Sequence, residues 1–271
     1  MKEVEHAPEM KSNLRFIFII IILSISISTI IILGSLIWSV QPEDLIRNLT
    51  DHEILFAIEL SIITGLVSTA LCLCAAIPAA YALARFNFRG KRFFSTITNL
   101  PLTLPPLVAG IALLIFFATN PAGKALEELG LNIIFTPLGI IVAQFFVNVP
   151  YLIRVLNGTF SGINPRYEHI ARTLGCTDAG TFWRVTLPMA RRGIISGTVI
   201  TWSKAMGEFG AVLMLAGATQ MKTETLPIAL FINMSTGNLN MAIAAATILM
   251  GISLIVLILF DYLENGRASH W

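Results

Sequence analysis

Asn164-Pro165-Arg166-Tyr167-Glu168-His169-Ile170-Ala171-Arg172-Thr173-Leu174-Gly175, followed twelve residues after that glycine by Leu187-Pro188, is a polar island in an apolar chain. Asn164 can accept hydrogen bonds at a helix N-terminus. Pro165 suits the first helical position, where its missing N–H would be unpaired anyway. Tyr167, Ile170, Ala171 and Leu174 follow the i, i+3, i+4, i+7 spacing of one apolar helix face. Arg166, Glu168, His169 and Arg172 make the polar face, with Glu168 and Arg172 at a supportive i, i+4 separation. Gly175 suits the left-handed conformation that ends such a helix. Thr177 then caps a second short helix, expected to contain Phe182 and Trp183 and to end near Pro188. The interval from Arg154 to Arg191 therefore reads as a helix pair lying on a surface.

Everything around it reads as membrane. Of 271 residues, 55% are hydrophobic and only 13% charged, against about 25% charged in soluble domains. A hydrocarbon core about 30 Å thick needs roughly 20 helical residues, and six segments qualify: 16–38, 57–84, 98–119, 136–156, 193–216 and 240–263. The first is longer than the 7–15 apolar residues of a signal peptide and lacks a small-residue cleavage site, so it reads as a retained span. The expected fold is an all-α integral membrane protein. Its parts are residues 1–54 (tail, first span and external loop), a core over 55–263, and a tail over 264–271.

Charge sets the orientation, because basic residues collect in cytoplasmic loops. Fourteen lysines and arginines fall in the N-tail, the second and fourth loops and the C-tail; the opposite side has Arg47, Lys124 and Lys222. Both termini and the 164–188 interval are thus expected in the cytoplasm. The external stretches 39–54, 120–135 and 217–239 are long enough for short interfacial helices, and Ile228–Ile232 is too short to span. Cys72, Cys74 and Cys176 have neither a disulfide framework nor metal-ligand spacing. All four histidines lie outside the spans, and no G-x-S-x-G or H-E-x-x-H occurs, which argues against a membrane hydrolase. No repeat between the halves suggests a secondary transporter. No nucleic-acid partner is expected, the lipid bilayer being the chain's surroundings.

The spacing of Gly175 to Val185, Leu187 and Pro188 resembles the cytoplasmic loop of ABC-importer permeases, whose pattern is Glu-Ala-Ala, three residues, Gly, nine residues, Ile-x-Leu-Pro. Aligned on Gly175, the Glu-Ala-Ala positions fall on His169, Ile170 and Ala171, with Glu168 one residue early. Asn99-Leu100-Pro101-Leu102-Thr103-Leu104-Pro105-Pro106-Leu107-Val108-Ala109-Gly110 resembles the opening of the third span in the molybdate, tungstate and sulfate permease group. Lys204-Ala205-Met206-Gly207-Glu208-Phe209-Gly210 is similar to that group's fifth span. The likeness runs from about Leu55 to Tyr262.

That resemblance implies a type I ABC-importer permease architecture with six transmembrane helices. It further implies an ATPase-docking loop at Arg166, Glu168, His169, Ala171, Arg172, Gly175, Thr177, Leu187 and Pro188. The expected assembly is a homodimer with two cytoplasmic ABC ATPase subunits and an external oxyanion-binding protein. The chain has no G-x-x-x-x-G-K-[S/T] phosphate loop, so it is no enzyme; ATP and Mg would be bound by the partner ATPase, and no cofactor or metal is expected here. The expected cargo is a small oxyanion, molybdate or tungstate first and sulfate next. Candidates for the translocation path or gate are Pro105, Pro106, Lys204, Gly207 and Glu208. Lys204 and Glu208, at i, i+4, are expected to pair on one helix face, either bordering the path or locking helix packing.

Overall fold

The computed structural model describes residues 12–38, 47–48 and 50–265, and its described secondary structure is helical throughout. Helix α1 is Ser12–Trp38, α2 His52–Arg85, α3 Lys91–Asn99, α4 Pro106–Thr119, α5 Pro121–Glu128 and α6 Pro137–Gly162. Then come α7 Arg166–Thr173, α8 Asp178–Thr181, α9 Leu187–Met206, α10 Gly210–Ala216, α11 Leu226–Ser235 and α12 Leu239–Asn265. Four of these are long and apolar enough to cross a membrane unaided, and two bent pairs raise the number to as many as six when each pair is one span. The expected stretch 39–54 lies largely outside the described residues, and α2 starts at His52, earlier than the expected 57, with Asp51 accepting from the Glu53 N–H at 2.9 Å.

The third and fifth spans are each broken into two helices rather than continuous. The third is α3, a 3₁₀ turn at Leu100–Leu102, and α4, with α4 turned through 108°. A residue preceding proline is pushed out of the helical region; Pro105, before Pro106, accordingly sits at φ −56°, ψ 135°. The true crossing is therefore α4. On a helical wheel α3 separates Phe93, Phe94 and Ile97 from Lys91, Arg92, Ser95 and Asn99, and none of its residues is buried. Such a helix lies in the membrane surface rather than across it.

The fifth span begins far upstream of the expected residue 193. Instead of ending near Pro188, the helix that starts at Asp178 passes through a wide π turn at Phe182–Thr186 and continues to Met206. Pro188 offers no N–H and its ring crowds the carbonyl four residues back. The wider turn, in which the Leu187 N–H bonds the Phe182 carbonyl, lets the helix absorb it. Beyond Met206 the helix stops at Gly207 and resumes as α10 at 58°.

Helices α2, α6 and α9 form the centre. At the end carrying the basic loops, Cys72, Ala76, Ala80, Leu152, Leu156, Phe160 and Ala190 pack together, all fully buried. Nearer the other end Ile140, Ala143, Ala211, Val212, Leu215 and Ile228 form a second cluster. Small side chains recur at both because helices in lipid associate through close van der Waals packing. The expected short helices appear as α5 in 120–135 and α11 in 217–239, but the first turn of α11 is buried in the bundle instead of lying on its surface. Helix α1 packs lightly on α12, and none of its described residues is buried.

A candidate docking element and a broken path

Helix α7 is built as its sequence dictates. Asn164 Oδ1 accepts from the Arg166 N–H at 3.0 Å. Gly175 takes φ +91°, its N–H donates to Arg172 O, and the Cys176 N–H reaches Ala171 O, both at 3.0 Å. Those two bonds close the helix as a Schellman turn. Thr177 Oγ1 accepts from the Gly180 N–H at 3.0 Å and caps α8.

The buried side of α7 cuts across the apolar and polar faces read from the sequence. Glu168 and Ala171 are the buried residues, 3% and 7% exposed, while Tyr167 at 52%, Ile170 at 56% and Leu174 at 80% point away from the bundle. Trp183 joins this outward crest at 64%. A charge is what holds the helix down. Glu168 Oε1 accepts from Arg85 Nε at 2.8 Å and from the Thr186 hydroxyl at 3.0 Å. Oε2 lies 3.5 Å from the Tyr81 hydroxyl and 3.6 Å from Arg172 Nη2. Arg85 also donates from Nη2 to Ile163 O at 2.9 Å. One carboxylate thus ties together α2, α7 and the π turn. Buried charges persist only when paired and fully hydrogen-bonded, and here those conditions are met.

Arg172 crosses the Gly175 turn to Asp178 at 2.9 Å, joining α7 to α8. Tyr81 packs edge-on against Phe182 at 4.8 Å and against Phe160 at 5.7 Å. A cavity of about 790 Å³ opens beside the crest, walled by Tyr81, Phe86, His169, Phe182 and Trp183. Arg166, His169, Arg172, Thr177 and Pro188 are exposed, and Leu187 is half-buried in the helix that Glu168 anchors through Thr186. Tyr81, Arg85 and Thr186 escaped the sequence reading; a basic residue at the end of α2 was visible there only as loop charge.

The candidate path residues lie at or beside the two breaks. A Cβ on Gly210 would stand 2.9 Å from Pro106 Cβ and 3.0 Å from Leu107 N; one on Gly110 would stand 2.8 Å from the Ala211 backbone. The two bent spans are therefore in backbone contact, α4 on α10. Pro105 and Pro106 are exposed there, and Gly207 is the elbow itself, with nothing closer than 3.8 Å to a would-be Cβ.

Lys204 and Glu208 do not pair. The helix ends between them, so the i, i+4 alignment is lost, and Glu208 Oε1 caps α10 by accepting from the Ala211 N–H at 3.0 Å. Lys204 is exposed instead, its Nζ 5.3 Å from the centre of the Tyr151 ring. A cation near mid-membrane costs about 2.5–3.5 kcal/mol on insertion scales, so this face is not one that lipid covers cheaply.

At the opposite end of the bundle a carboxyl pair went unread. Glu53 accepts from Gln220 Nε2 at 2.7 Å and from Asn233 Nδ2 at 2.8 Å. Glu224, fully buried, accepts from the Met221 N–H at 2.9 Å. Burial first, then the neighbouring Glu53 carboxylate, push the Glu224 carboxyl up to about 7 against the pull of that N–H. Nothing in the sequence pairs residues so far apart.

Comparison with known proteins completes the picture. The chain is 38% identical over 204 residues to the molybdenum transport system permease protein ModB of Mycobacterium bovis, covering 72% of this chain and 77% of that one. It is 33% identical over 229 residues to the sulfate transport system permease protein CysW of a Synechocystis species, covering 84% and 83%. In fold it resembles a chain in the crystal structure of a bacterial alginate ABC transporter in complex with alginate pentasaccharide-bound periplasmic protein. That match has a TM-score of 0.71 and 16% identity, and covers 95% of this chain and 94% of the other. Residues 73–268 match the family described as binding-protein-dependent transport system inner membrane component. The chain belongs to that family and is a multi-pass ABC-transporter permease subunit of the inner membrane.

Proposed function

We propose that this permease forms the translocation path of an ATP-driven importer for a small oxyanion, molybdate or tungstate first and sulfate next. Support for the cargo comes from the molybdenum and sulfate permeases to which most of the chain is similar. The observation that carries the mechanism is the outward crest of Tyr167, Ile170, Leu174 and Trp183 on a helix locked from beneath by Glu168. Exposed aromatic and aliphatic side chains on a rigid support are what a partner's cleft engages. The partner is a cytoplasmic ABC ATPase, which binds ATP and Mg, docked at residues 164–188. Two copies of the permease, two ATPases and one external oxyanion-binding protein make the assembly.

Closure of the ATPase pair on ATP moves the two crests together. Because α7 and the helix Asp178–Met206 share the Glu168 anchor, that motion reaches the break at Gly207 and the α4–α10 contact behind it. The path then opens outward and hydrolysis resets it: alternating access driven by differential binding to two states. Pro105, Pro106, Lys204, Gly207 and Glu208 border the moving junction. The test is ATPase activity of the assembled complex in lipid with each loaded binding protein. Molybdate- or tungstate-loaded protein should stimulate hydrolysis severalfold. Equal stimulation by an unrelated sugar-binding protein would sink the anion assignment, and failure of any ATPase to co-purify would sink the importer reading.

A further inference from the structure

Lys204 stands two turns above Gly197 on the face of α9 that packs against α6, where a Cβ on Gly197 would meet Leu152 and Val155. That register brings the ammonium over the Tyr151 ring. One turn along α6 from Tyr151, on the same side, Arg154 is also exposed. Among the described residues, neither cation lies within 4.0 Å of a carboxylate; Glu208, four residues on from Lys204, is turned to cap α10. The ammonium thus lies over one phenol, with Arg154 a turn nearer the basic end, on an open face beside the elbow of a broken span. An apolar bundle does not keep such charges unpaired against lipid; intramembrane ionisable groups face water or a cavity.

We infer that Tyr151, Lys204 and Arg154 form a contact station for the anion within the path, an inference that rests on the oxyanion-import reading. The ammonium and the phenol hydroxyl donate to the oxygens of a tetrahedral dianion, and Arg154 draws it on toward the basic end of the bundle. The ring keeps the ammonium over the site without neutralising it, as a carboxylate would. A cation balanced in that way attracts an anion but lets it leave, which conduction through a path demands.

Thiol labelling tests the station without reference to the cargo. In a chain whose Cys72, Cys74 and Cys176 are replaced by serine, Tyr151→Cys is labelled in membranes with a sulfonate-bearing or a trimethylammonium-bearing methanethiosulfonate. The anionic reagent should react about tenfold faster, by electrostatic focusing, and Lys204→Met in the same background should abolish that preference. No preference, or no labelling by either reagent, overturns the station. Uptake by the assembled importer in vesicles separates this inference from the reading beneath it. With labelled molybdate, tungstate and sulfate, Lys204→Met should lose about nine-tenths of wild-type uptake and Lys204→Arg should keep a third or more, as expected for a focusing charge. Wild-type uptake undiminished by Lys204→Met overturns the station alone; a wild type that imports none of the three overturns both.

Discussion

Glu168 bonds three separate elements, and its removal leaves Arg85 buried without its partner. Glu168→Ala should therefore destabilise the chain by about 3 kcal/mol, read as a lowered thermal midpoint in detergent, and should uncouple ATP hydrolysis from uptake. Gly175 has no such partner but a conformation to hold: Gly175→Ala should cost about 1 kcal/mol in the left-handed region. Gly175→Pro should be worse, because proline fixes φ near −65° and removes the N–H bonded to Arg172. Glu224 carries a pH dependence of definite sign. Its proton is held more tightly folded, with a pKa of about 7, than at the ordinary 4.5. Its stabilising contribution is thus complete below about pH 4.5 and is lost as pH rises through about 7. Glu224→Gln should flatten the midpoint-versus-pH curve over that window; an unchanged slope would show that the carboxyl titrates normally.

At the scale of elements, the contact of α4 with α10 depends on the absence of two side chains. Gly110→Val and Gly210→Val should lower the thermal midpoint and arrest transport, because each drives a side chain into neighbouring backbone. Gly158→Ala and Gly162→Ala, with nothing within 4 Å, should be neutral or stabilise α6 by up to about 1 kcal/mol. Equal effects at all four would show that these bent spans do not touch as described. The same elements mark what was legible in the chain. The caps Asn164 and Thr177 and the terminator Gly175 act locally, so their types and spacing were enough. The polarity of α7 was not legible: periodicity reports that a helix has two faces, and a buried Glu168 depends on an arginine far upstream in sequence. Prolines at 101, 105 and 106 announced trouble in the third span without its angle. Lys204 and Glu208 looked paired because i, i+4 counting assumes an unbroken helix.

For the whole molecule, hydropathy and charge asymmetry sufficed to count the crossings, since lipid leaves helices few alternatives. They also predict a testable sidedness. In a background free of native cysteines, Lys124→Cys should react with an impermeant maleimide added outside intact cells. His169→Cys should react only after the membrane is opened, and the reverse pattern would invert the assembly. The unbroken run from Asp178 to Met206 has one further consequence. At 1.5 Å per residue it is a rod roughly 43 Å long, so a tilt of about 10° at its docking end sweeps the Gly207 end through roughly 7 Å. Under the proposed coupling it works as the long arm of a lever, trading force for travel: a modest closure at the docking end becomes a displacement of several ångströms at the elbow. The arm's stiffness then limits the stroke. A softer Asp178–Met206 segment would leave hydrolysis running while the far end stood still.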